Sequence, residues 1–467
     1  MVLTTRGRLE LAALISIALP LAGAQLSQLA MSLIGSMALG RLDSTAFAAG
    51  GLCGVIIQTV TVISQGIVAG AQPLLASDRG AKAAGLSHAG MAAKAFAGAY
   101  IWAALLSVLA MLALANLGTL LSLFAFEPEV IASVGRYMAT GIWSLPAILL
   151  LAPLRFHLAV EQRTWMILVA SACGIPVYAG LVIWFVFGAP DMGIAGAGLA
   201  FTLTWWLIAA IVALYALVRR LLPEDIGSLR PDGIGQGAIA VFRIGLPIAL
   251  IYAAEMGLLA VVLLLMGGFG TVALAAHQVS HSLNAIAFMP ALALGQAATV
   301  RVAFHMGGGR PADARFAGNL AIGFACALML AFCISILVFS DQLTLIFIGP
   351  DNADIGAITA LVRLLNMVLV GYLLFDGLQA AANGALRGLK DTRIPMFIGV
   401  FSYWLLGFPI AWLAGYAFAL GPVGIALGVL TGIGAAGCLL FMRWLRAIRA
   451  TPATAGFVSA IPLANTV

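Results

Sequence analysis

Charge is what this 467-residue sequence has least of. Only 9 % of its residues are Asp, Glu, Lys or Arg, against about 25 % in soluble chains, while 63 % are hydrophobic. Its 23 basic and 17 acidic side chains cannot clothe a water-soluble globule of 48.2 kDa. A mean hydropathy of +1.11 requires most of the surface to face lipid, which excludes a soluble enzyme, and disorder with it. Cysteine is scarce too. Cys53, Cys173, Cys326, Cys333 and Cys438 all sit in apolar runs without metal-ligand spacing, which excludes a disulfide scaffold and leaves packing as their role. No G-x-x-x-x-G-K-[ST] loop occurs, so nothing suggests an ATP-driven pump, and no Ser/His/Asp or metal-ligand cluster suggests a membrane enzyme. The net charge of +6 is spread along the chain and not gathered on one face, which excludes nucleic acid as a partner.

What is abundant is uncharged sequence. A spanning helix needs about 20 apolar residues, and a charge at its centre costs roughly 2.5 to 3.5 kcal/mol on insertion scales, so gaps between charges read as spans. Residues 11–40, 44–77, 95–126, 137–154, 164–190 and 192–218 give six. After the basic stretch Arg219 to Arg230, six more fall near residues 244–266, 271–300, 316–340, 364–386, 394–417 and 423–441. Twelve spans place both termini on one side. Of the 23 basic residues, 20 fall on that side, and only Arg41, Arg136 and Arg363 fall on the other, beside acids such as Asp43, Glu127, Glu129, Asp341, Asp351 and Asp354. Both termini are therefore expected to be cytoplasmic. A signal-peptide reading of Arg6, Arg8 and Ala22-Gly23-Ala24 is disfavoured, because the apolar run continues to Gly40 and its removal would spoil the charge asymmetry.

The chain also repeats itself. Leu19-Pro20 matches Leu246-Pro247, Gly40 matches Gly267 and Ala48-Ala49 matches Ala275-Ala276, all at an offset of 227. Leu154-Arg155 with Leu386-Arg387, Gly174-Ile175-Pro176 with Gly407-Phe408-Pro409, and Gly193-Ile194-Ala195 with Gly424-Ile425-Ala426 follow at offsets of 231 to 233. A repeat of six spans is even, so its copies enter the membrane from the same side, a parallel repeat suited to alternating access. The expected organisation is an N-terminal six-helix lobe over residues 1–218, a cytoplasmic linker over 219–240, a C-terminal six-helix lobe over 241–450 and a cytoplasmic tail over 451–467. Pro20 and Pro247, at equivalent places, are candidate gating bends.

Two acids lie deep in spans: Glu255 in the seventh and Asp376 in the tenth. Intramembrane carboxylates mark ion pathways, proton relays or counter-ions. The alternative, pairing with a buried Arg, is weakened because Arg243 and Arg387 lie about three turns away along each helix. Removal from water disfavours the ionised carboxylate, so a proton or a hard cation is a good occupant. Tyr372, one turn before Asp376, offers a hydroxyl to the same face, which would suit Na⁺. The repeat partners of the two acids are Gln28 and Ser144, so the ion site belongs to the C-terminal lobe alone.

The run from Leu246-Pro247 through Glu255, then Ala275-Ala276-His277-Gln278-Val279, Gly295, Arg301-Val302, Tyr372, Asp376-Gly377-Leu378-Gln379, Asn383-Gly384-Ala385-Leu386-Arg387-Gly388 and Lys390-Asp391-Thr392, resembles the multidrug and toxic compound extrusion family, NorM-like branch. The resemblance implies an all-α integral membrane fold of twelve transmembrane helices in two lobes. It implies export of lipophilic organic cations by antiport with Na⁺ or H⁺, without a cofactor, from a monomer in the bacterial inner (plasma) membrane. It also implies a cation site at Glu255, Asp376 and Tyr372, with Gln278 and Gln379 as further substrate or gating candidates. Where relatives carry Asp and Asn in the N-lobe, this chain has Gly35, Gly174 and Tyr178, so no N-lobe proton site is carried over.

Rival readings are a lipid-linked precursor flippase of the same superfamily, which would favour a basic cavity, and a twelve-helix transporter outside the family. For the latter, Asp78-Arg79-Gly80-Ala81-Lys82 resembles the D-R-x-G-R loop of major-facilitator transporters, but position 74 is Leu, and a solvated basic loop is expected. Gly66 and Gly70 are expected to serve close helix packing. His277 reads as a hydrogen-bonding spacer more readily than as a proton site, and Trp404, Phe408 and Trp412 read either as a drug pocket or as lipid-facing packing.

Overall fold

A computed structural model describes residues 5–86, 90–122, 127–349 and 354–450; the expected tail 451–467 and the loop acid Asp351 lie outside the described residues. Those residues form helices and no strands. Eleven helices are long and apolar enough to cross a bilayer, and one bent pair makes a twelfth span. They are α1 (Thr5–Gly40), α2 (Ser44–Ala83), α3 (Met91–Ala115), α4 (Pro128–Gly141 with Ser144–Val160), α5 (Trp165–Phe187), α6 (Gly193–Val218), α7 (Pro231–Gly267), α8 (Thr271–Gly307), α9 (Pro311–Val338), α10 (Ile355–Gly388), α11 (Arg393–Ala417) and α12 (Gly421–Ala450). Even α5, at 23 residues, reaches roughly 35 Å, enough for a hydrocarbon core of about 30 Å. Val55, Leu112, Leu264, Ile346 and Phe397 are among many large apolar side chains left exposed, as a lipid-facing surface requires.

Local chemistry sets the boundaries. Asp43 caps α2 by accepting from the Ala46 amide at 2.6 Å. The long uncharged stretch after α3 does not stay one helix: Asn116 turns its amide back to the Leu112 carbonyl at 3.1 Å, and a short helix, Leu117–Leu121, follows. α4 bends by 47° at 142–143, where the sequence suggested one straight span. α7 begins at Pro231, well before the first uncharged residue of its predicted span, with Asp232 in its first turn. A charge ends a hydrocarbon span without ending a helix. The same reason corrects residues 78–82, expected as a solvated loop: they continue α2, Asp78 is buried, and Gly80 lies against the Phe304 carbonyl where a Cβ would collide.

The chain divides into two compact units. One contains Leu19–Leu75 and Gly90–Ala249. Within it α4 packs on α2, α3 and α6, and α5 lies on α6. Gly66 and Gly70 bring α2 against the backbone of Ala249 and Val241, the close packing their spacing suggested. The other unit contains the described residues of Met1–Ala18, Ala76–Ala89 and Leu250–Val467. There α10 is central, packed on α8, α9 and α12. The boundaries thus fall inside α1 and α7, within three residues of Pro20 and Pro247.

The repeat is visible in a local irregularity. α5 ends in a wide π turn at Ile183–Phe187, and α11, the fifth span of the second half, contains two, at Phe401–Gly407 and Leu413–Ala417. Pro176 and Pro409 stand close by, each removing an N–H from the helical ladder. At the chain's polar ends, Arg363 grips Asp341 at 2.7 and 2.6 Å and Arg443 reaches Asp391 at 2.8 Å, each pair joining residues assigned to one side of the membrane. The Arg363 guanidinium, hydrogen-bonded to Asp341, holds that carboxyl below its usual range.

Candidate functional site

α7, α8, α10 and α11 bring the polar interior of the second unit together. Asp376 and Tyr372 share one face of α10, a turn apart, and are 3 % and 8 % exposed; Glu255 on α7 is half-buried. The two carboxylates lie near enough to interact electrostatically. Tyr403, 1 % exposed, stands within the first π turn of α11, a widening that re-aims side chains. Its hydroxyl accepts from Gln379 Nε2 at 2.6 Å and is hydrogen-bonded to Glu255. Tyr372 is hydrogen-bonded to Asn284 of α8. Arg387 donates from Nη1 to the Tyr252 hydroxyl at 2.8 Å, lies 5.0 Å from that ring's centroid, and acts on Glu255 through space.

The donor set suits a hard cation. Asp376 Oδ1, Asn284 Oδ1, Gln379 Oε1 and Asn383 Oδ1 are buried acceptors without a hydrogen-bond partner among the described residues. The oxygens of Asp376, Asn284 and Gln379, with those of Glu255, Tyr372 and Tyr403, form an oxygen-rich patch of the kind Na⁺ prefers, and the carboxylates equally accept a proton; Asn383 lies about two turns beyond Asp376 along α10. Beside the patch lies a small, partly open cavity. Tyr372 and Asn284 lie on its wall with His277, Ser280 and His281, and apolar residues of α7, α10 and α12 complete it. Ser280 is held from behind, its hydroxyl donating to Asn366 Oδ1 at 3.0 Å.

The structure brings Glu255, Asp376, Tyr372 and Gln379 into one network, and it leaves Gln278 elsewhere, exposed on α8 and outside the cavity wall. Pro20 and Pro247 lie inside α1 and α7. Arg387, distant from Asp376 along α10, is an electrostatic neighbour of Glu255 across the helix packing, which distance along a single helix could not reveal. Trp404 donates to the Ala254 carbonyl at 3.1 Å and packs on Gly257, so it buttresses α7 beside Glu255. Trp412 is exposed. Tyr403 escaped sequence reasoning; its signal was a phenol beside Ser402 in the interior of an otherwise apolar span.

The first unit is different. A Cβ on Gly35 would meet the Tyr178 hydroxyl at 2.5 Å, so the tyrosine occupies the space a side chain there would need. Tyr178 and Cys53 both lie near Tyr137. Ser144, the repeat partner of Asp376, turns its hydroxyl to the Gly141 carbonyl at 2.7 Å.

An all-helical, duplicated membrane protein whose second half buries paired carboxylates beside a cavity is a transporter in class. Residues 20–182 and 247–413 match the MatE family, so both halves of the duplication carry the match. The chain is 34 % identical over 461 residues to the probable multidrug resistance protein NorM of Pseudomonas aeruginosa, covering 97 % of this chain and 93 % of that protein. The multidrug resistance protein NorM of Burkholderia vietnamiensis is 33 % identical over 435 residues, 92 % of each chain. The fold is also that of a mutant of the Vibrio cholerae MATE transporter VcmN, with a TM-score of 0.85 and 20 % identity over 97 % of this chain and 100 % of that one. The eukaryotic MATE transporter AtDTX14 gives 0.83 and 20 % over 94 % and 97 %. This chain belongs to the multidrug and toxic compound extrusion family.

Proposed function

We propose that the protein is a secondary active multidrug exporter that expels lipophilic organic cations in exchange for Na⁺ or H⁺, with Glu255, Asp376 and Tyr372 as the coupling site. The carrying observation is the carboxylate pair tied into the Tyr403–Gln379 network in the second unit. Negative charge held away from water is stabilised by whichever cation arrives, so ion and drug compete for it. Competition is what antiport requires. An ion entering down its gradient neutralises the site and releases the drug outward, and loss of the ion to the cytoplasm restores affinity there.

Pro20 and Pro247, beside the unit boundaries of α1 and α7, are the proposed bends of this cycle. The two lobes of the cycle are the six-helix halves, residues 1–218 and 241–450. The distribution of 20 of 23 basic residues supports cytoplasmic termini, in a bacterial inner membrane, and a monomer suffices because the residues of the site come from one chain. A flippase for an anionic lipid precursor would want free basic groups in the cavity; its wall instead carries histidines, Asn284 and Tyr372.

The test is dye efflux from proteoliposomes with Na⁺ and pH gradients imposed separately. Glu255→Gln and Asp376→Asn each abolish gradient-driven efflux in protein that still elutes as a folded species. Efflux at the unmodified rate in both variants would sink the assignment, and the gradient that drives the unmodified protein identifies the ion.

A further inference from the structure

The cavity beside the carboxylates has a second chemistry. His277 and His281 stand four residues apart on continuous α8, both in the cavity wall and both half-buried. Their ring centroids are 5.9 Å apart and their planes differ by 25°. The other three histidines of the chain, His88, His157 and His305, lie elsewhere in the sequence.

Two imidazoles spaced i, i+4 on one helix face present nitrogens to a single ion, the geometry that zinc-binding helices use. Neither ring has a hydrogen-bond partner among the described residues, so both keep a lone pair available in the neutral state. Imidazole favours Zn²⁺, Ni²⁺ and Cu²⁺, whereas Na⁺ and Mg²⁺ prefer oxygen. A further donor, the Met266 thioether, lines the same cavity. No group of three or more His, Cys, Asp or Glu side chains that could hold a metal gathers among the described residues, so such a site would rest on two histidines and be completed by other donors.

We propose that His277 and His281 form a binding site for a divalent transition-metal cation, chemically distinct from the Glu255–Asp376 patch and next to it in the cavity. The Asn284–Tyr372 hydrogen bond joins the two, since Asn284 lies on the same face of α8 as the histidines and Tyr372 on the same face of α10 as Asp376.

The experiment is calorimetric titration of purified full-length protein with Ni²⁺, Zn²⁺ and Mg²⁺. One equivalent of Ni²⁺ or Zn²⁺ binds and Mg²⁺ does not. His277→Gln and His281→Gln each weaken the metal at least about tenfold, the minimum seen when even an outer-shell partner is lost. The double Glu255→Gln/Asp376→Asn variant still binds it, so failure of the coupling assignment and failure of the metal site give different results. Absence of Ni²⁺ and Zn²⁺ binding by the unmodified protein overturns the proposal. So does equal binding by the double His277→Gln/His281→Gln variant, with its elution profile checked against the unmodified protein. Loss of binding on neutralising the carboxylates would assign the metal to the oxygen patch and overturn it too.

Discussion

Glu10 and Arg301 form a buried ion pair whose removal should cost more than any surface contact in the molecule. Arg301 donates from Nε to Glu10 Oε1 at 2.7 Å and from Nη2 to Oε2 at 2.6 Å, and His305 Nε2 sits 3.2 Å from that same oxygen. Glu10, Arg301 and His305 are 8 %, 9 % and 5 % exposed, and the Phe304 ring lies 5.2 Å from the guanidinium. Burial decides the magnitude. An exposed pair contributes about 0 to 1 kcal/mol, whereas removing one partner of a buried pair costs about 3 to 5 kcal/mol, because the other charge stays desolvated and alone. Glu10→Gln leaves Arg301 facing His305, so it and Arg301→Met should each lose about 3 kcal/mol or more. His305→Gln, which loses two contacts at 3.2 Å but leaves the Glu10–Arg301 pair intact, should lose less. The double Glu10→Gln/Arg301→Met variant strands no charge and should be no worse than either single change, giving a coupling energy of at least about 3 kcal/mol. Unfolding in mixed SDS micelles, followed by tryptophan fluorescence, measures the cycle. Additive losses, with coupling below about 0.5 kcal/mol, would refute the claim that this pair holds the start of α1 onto α8.

Tyr403→Phe removes the hydroxyl between Gln379 and Glu255; each orphaned partner is worth about 1 to 3 kcal/mol, so efflux should fall about tenfold or more while the elution profile is unchanged. A variant with normal efflux would dismiss Tyr403 from the site. At Gly384 a Cβ would collide with the Gly295 carbonyl, so Gly384→Ala should destabilise by about 1 to 3 kcal/mol. Exposed Gly323, with nothing near it, should gain up to about 1 kcal/mol from the same change, and identical signs at both positions in SDS unfolding would contradict the packing argument. Gly35→Ala meets the Tyr178 hydroxyl; its cost should shrink in a Tyr178→Phe background, and a cost unchanged by that background would show the two positions to be independent.

Most of the fold was legible because charge is so expensive in hydrocarbon that forty charged residues punctuate twelve spans. What was illegible had no such cost attached. The bend in α4 and the π turns of α11 exchange one backbone hydrogen-bonding pattern for another, which leaves no mark in composition. Glu255 and Asp376 were legible as misplaced acids, and Tyr372 because it lies one turn from Asp376 on the same helix. Tyr403 and the proximity of Arg387 to Glu255 depend on which helices touch, and helix packing is set by small residues such as Gly295 and Gly384, whose partners a single sequence does not reveal.

The asymmetry between the halves follows from the same packing. Duplication supplies two equivalent six-helix frames, yet a buried charge is tolerated only where neighbours can pair or hydrate it. In the second unit Glu255 has Tyr403, and Arg387 lies near enough to act on it, while Asp376 lies close enough to Glu255 to interact with it. In the first unit the corresponding positions are Gln28 and Ser144, and the Tyr178 hydroxyl fills the space at Gly35. An acid restored at position 35 would therefore meet a phenol at contact distance before it met a cation. Building an ion site there would require at least two coordinated changes, so under the proposed coupling site the steric barrier confines it to one half.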